Sequence, residues 1–143
     1  MAGPQFFTPK SVKPSRPRRH FTLQQAISTL PLVSRVVKDI VTTHGRAAEL
    51  QHSLEHTPSK DQTQLQRDLD AAMALLEDYV DELTEIGCDL KDYEQGLIDF
   101  TGRHRGRDVC LCWKLGEPSI AHWHEIDAGA AGRQPVSLLI ESA

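Results

Sequence analysis

Long apolar runs are missing from this chain of 143 residues. None approaches the roughly 20 residues that cross a bilayer, and no apolar stretch follows Met1 as a secretion signal would need. Cysteine is scarce too: three residues, an odd number without the spacing of a disulfide framework, are read as thiols in a reducing compartment. Both absences point to the cytosol and to no membrane partner. Acidic residues are absent from the first 19 positions, where Lys10, Lys13, Arg16, Arg18 and Arg19 stand among Pro4, Pro9, Pro14 and Pro17. Such a composition cannot bury enough apolar surface to fold, so residues 1–20 are expected to form a disordered basic tail. The remainder is then more acidic than the net charge of −4 implies, which argues against nucleic acid as a partner of the folded body and leaves it possible for the tail. No Gly-rich phosphate loop and no complete catalytic constellation can be found.

What is present fits one α+β domain over residues 21–140, with 39 % hydrophobic and 25 % charged residues in the chain. Phe21-Thr22-Leu23-Gln24-Gln25 reads as a helix start in which Thr22 caps, Gln25 completes a capping box and Phe21 serves as a staple. Pro31 fits badly inside a helix, so a short helix over residues 22–29 and a long one over 31–54 are expected. Leu30, Val33, Val37, Ile40, His44, Ala47, Gln51 and Leu54 then fall at alternating spacings of three and four, as a coiled-coil-like seam does. After a reversal around Pro58, where Ser59 and Gln62 offer another capping box, residues 60–86 carry the matching seam Leu65, Leu69, Ala72, Leu76, Tyr79, Leu83, Ile86, and Gly87 can close it. The two long helices are expected to pair as an antiparallel hairpin. Leu32, Val36, Val41, Leu75 and Val80 flank the seams and need a further surface: the sheet, the short helix or another subunit.

Beyond Gly87 the period becomes strand-like, over residues 88–91, 96–100, 108–115 and 120–126, giving a small antiparallel sheet at the C-terminal end. Val109, Leu111, Trp113 and Leu115 share the face that would lie on the helices, while Cys110, Cys112 and Lys114 take the other. His122 and His124, two apart, leave one face together, and such a pair can hold a metal; Cys110 and Cys112 could add thiolates for zinc. Register decides between these readings. An even connection through Gly116-Glu117-Pro118-Ser119 puts the histidines with Trp113 and turns the cysteines away, whereas an odd one unites them. With the even connection, the favoured reading is a half-buried histidine pair bonded to backbone or to carboxylates of the long helices. Arg103-His104-Arg105-Gly106-Arg107 is read as a solvated turn, with phosphate or RNA binding as the alternative.

Phe21-Thr22-Leu23, Leu90-Lys91-Asp92, Gly96-Leu97-Ile98-Asp99-Phe100, Leu111-Cys112-Trp113-x-Leu115-Gly116-Glu117, and Trp123-His124-Glu125-x-Asp127-x-Gly129 with Gly132-Arg133 resemble the bacterial family called domain of unknown function 2203, over roughly residues 21 to 135. The resemblance implies a small bacterial cytosolic protein and no particular activity. It makes His124, Glu125, Asp127 and Arg133 the polar positions of the motif and leaves His122 and the tail particular to this chain. The expected function is that of a non-catalytic interaction or assembly protein, oligomeric or bound to a protein partner, with the loop Trp123–Arg133 as its docking surface. The alternative is a metal- or small-anion-binding protein, conceivably hydrolytic. There His124 is ligand or base, Glu125 or Asp127 orients it, Arg103 or Arg133 binds the anion, and Trp113 and Trp123 wall the site.

Overall fold

A computed structural model describes residues 19–141, so the expected tail falls almost wholly outside the described residues. Two helices, α1 (Leu23–Glu55) and α2 (Gln62–Ile86), precede β1 (Cys88–Asp92), β2 (Leu97–His104), β3 (Arg107–Lys114), β4 (His122–Glu125) and β5 (Gln134–Pro135). The strands form one antiparallel sheet in chain order, and the fold is α+β. Among the described residues no helix is long and apolar enough to cross a membrane.

The start of α1 is where its sequence signals it. Thr22 Oγ1 accepts the Gln25 N–H at 3.1 Å while Gln25 Oε1 accepts the Thr22 N–H at 2.9 Å. Phe21 sets its ring edge-on to Phe100, with centroids 5.1 Å apart. The expected break at Pro31 does not occur: α1 is one helix of 33 residues. Proline removes a single helical hydrogen bond at a cost of about 3 kcal/mol, and its ring here is on the exposed side. Ala26, Leu30, Val33 and Val37 are buried on either side of it, along one uninterrupted face. Burying Leu30 and Val33 alone contributes about 1.5–3 kcal/mol each, enough to outweigh the proline.

The second capping box is also absent, since Ser59–Asp61 makes one 3-10 turn and Gln62 Nε2 instead donates to the carbonyls of Leu54 and Thr57 at 3.0 and 2.9 Å. α2 closes as expected on Gly87, at φ +112°, whose N–H reaches Leu83 and Thr84.

The main core joins Leu30, Val33, Val37, Ile40, Leu76 and Leu83 of the helices to Ile98, Phe100, Leu111, Trp113 and Trp123 of the strands. Gly96, at φ +71°, lets the β1–β2 turn approach α1 so closely that a Cβ would lie 2.8 Å from Val37. His44 stacks on Tyr93, and past it the helices have only each other: Ala47, Leu50, Leu69 and Ala72 form a separate small cluster. Of the flanking apolar residues, Val36 is buried and Val41 and Val80 pack at the edge of the core, whereas Leu32 and Leu75 remain 43 % exposed.

The sheet departs from expectation at three places. β2 runs on to His104, so the expected turn 103–107 is a hairpin whose tip is only Arg105-Gly106, both left-handed at φ +51° and +80°. β4 is shorter than residues 120–126. The edge strand is Gln134–Pro135, and Val136–Leu138 forms a 3-10 turn.

Candidate functional site

Cys110 pairs with His124 and Cys112 with His122, while Leu111 pairs with Trp123. This register leaves nine residues, Trp113–Ala121, between the last facing pair, Cys112 and His122, an odd connection where an even one was expected. The one-residue difference turns every side chain of β4 over. His122 and His124 therefore share the face of Cys110 and Cys112, and Trp123 joins Trp113 on the helix side. Asp99 of β2, which pairs with Cys112, projects from the same face as the histidines.

Asp99, Cys112 and His124, from three adjacent strands, bring one ligating atom each to within 4.8 Å of one another, and all three are buried. His124 Nδ1 lies 2.7 Å from the Glu125 carbonyl oxygen, which can only accept, so Nδ1 carries a proton and donates it. Nε2 then faces Asp99 Oδ1 at 3.1 Å. A bare Nε2 and a carboxylate oxygen would oppose two lone pairs, so a positive centre, a proton or a metal ion, belongs between them. Burial, then the charge of Asp99, pushes the Cys112 thiol up to about 12 against the opposing pull of Arg133. Cys112 is thus a neutral thiol rather than a nucleophile.

Glu117 and Arg133 form the rim. Arg133 Nη2 donates to both carboxylate oxygens of Glu117, at 2.7 and 3.0 Å, and the Lys114 N–H donates to the same carboxylate at 2.7 Å. Burial alone would raise the Glu117 carboxyl, but these bonds and the charges of Arg133 and His122 hold it below the ordinary glutamate range. His122 stands beside them, its buried Nδ1 without a hydrogen-bond partner and 3.9 Å from Glu117.

The other expected residues are elsewhere. Trp113 and Trp123 are buried anchors whose ring N–H groups donate to the carbonyls of Glu117 and Pro135 at 3.0 and 3.1 Å. Glu125 orients His124 through its backbone, while its carboxylate is tied to Arg107, whose hydrogen bonds hold it below its usual range. Arg103 faces Asp108 at 3.8 Å, Asp127 is exposed, and neither approaches the cluster. The orienting carboxylate is Asp99, which the pattern of β2 offered as a polar residue between Ile98 and Phe100; Glu117 was hidden in what read as a turn.

The model of the family described as Uncharacterized conserved protein (DUF2203) matches residues 19–136. No curated protein and no solved structure matches the chain.

Proposed function

Given that this chain belongs to the DUF2203 family of uncharacterised conserved proteins, we propose that it is a non-catalytic interaction and assembly protein of the cytosol. In this reading α1 and α2 pair as an antiparallel hairpin, and their outer halves dock on a second copy of the chain. One observation carries it. Past His44 the helices share only Ala47, Leu50, Leu69 and Ala72 as buried residues, with Leu54, Leu65 and Met73 partly covered, and next to Leu76 of the main core Leu75 is 43 % exposed. Two helices with so narrow a core gain from covering these side chains, at about 1–2 kcal/mol for each one newly buried. The loop after Trp123 contributes its exposed Ile126 and Asp127, since Trp123 and Arg133 are engaged internally.

Native mass spectrometry of the wild-type protein and of Leu75→Glu tests this. The wild type is expected as a dimer or larger, and the variant as a monomer with unchanged helicity that melts where dilute, dissociated wild type does, because Leu75 contributes little to its own subunit. A wild type that stays monomeric at high micromolar concentration overturns self-assembly.

A second reading, ligand binding, is favoured by the convergence of Asp99, Cys112 and His124. Its anion-binding form loses support because Arg133 is matched to Glu117 and Arg103 to Asp108. Its hydrolytic form loses support because all three clustered side chains are closed off from solvent.

A further inference from the structure

We propose that Asp99, Cys112 and His124 bind one divalent transition-metal ion of zinc type, which ties β2, β3 and β4 together as a structural centre. The inference rests on the sheet face and is independent of whether the helices assemble.

Three observations support it. The ligating atoms already lie within 4.8 Å of one another, with Nε2 and Oδ1 at 3.1 Å. A tetrahedral ion with bonds of about 2.0–2.3 Å holds its donors roughly 3.2–3.8 Å apart, so small side-chain adjustments suffice. Second, His124 is prepared as a metal-binding histidine is. Its Nδ1–H donates to a backbone carbonyl at 2.7 Å, which fixes the ring and presents the lone pair of Nε2 to Asp99. Third, the charges close: a carboxylate, a thiolate and a neutral imidazole around a divalent cation sum to zero, the state that a buried site requires. Binding places the ion between Nε2 of His124 and the Asp99 carboxylate and releases the thiol proton of Cys112 to solvent. His122, opposite Cys112 in the register and on the same face, lies outside this group, its Nδ1 3.9 Å from Glu117. Nitrogen, oxygen and sulfur together favour zinc or cobalt(II) over magnesium or calcium, which take oxygen alone.

The test is titration of the full-length, tag-free protein, after chelator treatment, with cobalt(II) and then zinc. One cobalt per chain is expected, with a thiolate-to-cobalt charge-transfer band and the intense visible absorption of tetrahedral cobalt, both bleached by zinc. Cys112→Ser should lose the charge-transfer band, and Asp99→Asn and His124→Gln should weaken binding at least tenfold. Cys88→Ser, whose thiol belongs to the main core, should keep the spectrum. No band in the wild type at saturating cobalt overturns the proposal even if every variant fails to fold. A band that survives Cys112→Ser overturns it as well.

Discussion

Glu117 is held ionised by Arg133, by the Lys114 N–H and by the charges around it, and this has a consequence for acid stability. A carboxylate whose folded pKa is depressed stabilises the fold above its unfolded value, about 4.3, and that contribution disappears as pH falls through the folded value. At neutral pH, Glu117→Gln should therefore cost about 1–2 kcal/mol, the typical worth of a charge-assisted hydrogen-bond set that is partly screened. At pH 3 the gap between variant and wild type should narrow, since the wild-type carboxyl is itself being protonated. Urea unfolding at the two pH values checks both the size and the direction. The Cys88 thiol shows the opposite direction: burial, then the Asp89 charge, pushes it up to about 12 despite Arg19, so it stays neutral inside the core. At this scale the sequence singled out His124 but not the residue its ring faces, Asp99. A strand residue's neighbours across the sheet are set by register, and Asp99 is 25 positions away from His124.

Helix α1 passes through Pro31 because the residues on both sides of it are buried on the same surface. If the proline is tolerated rather than needed, Pro31→Ala should stabilise the protein by about 1–3 kcal/mol by restoring the missing bond to the Ile27 carbonyl. A thermal melt that moves down instead would show that the ring itself matters where Pro31 lines an open groove with Leu30, Trp113 and Glu117. The helices were the most legible part of the chain. The Thr22–Gln25 capping box, the apolar face of α2 and the stop at Gly87 are local signals, and each appears where its residues imply, whereas Ser59 and Gln62 do not form the second box. The β3–β4 connection was not legible in the same way. Gly116 and Pro118 announce a turn, but nothing local decides whether an even or an odd number of residues lies between facing positions. That count alone decides whether the histidines meet the tryptophans or the cysteines. The Arg105-Gly106 tip was likewise concealed by the charged residues around it, which read as a longer loop.

Across the whole molecule, burial is uneven: a core shared by helices and sheet continues into outer helical halves with a small cluster of their own. Amide hydrogens of residues 47–55 and 62–72 should exchange faster than those of residues 26–40 in dilute protein, because fewer buried contacts oppose local opening. Raising the protein concentration should slow the outer set alone if those halves dock on a second copy. The α+β class and the order of helices before sheet were readable from periodicity, since helical and strand patterns occupy separate parts of the chain. The packing of the apolar residues flanking the seams was not, because periodicity names the apolar face and not what covers it. The sheet's order has one more consequence. Each strand lies beside its predecessor, so no strand waits for a distant part of the chain to arrive. Closing such short loops costs little chain entropy, and proteins dominated by near-neighbour pairings cross their folding barrier quickly. Asp99, Cys112 and His124 can accordingly be brought together by two successive hairpins, growing outward from β2 as a zipper closes.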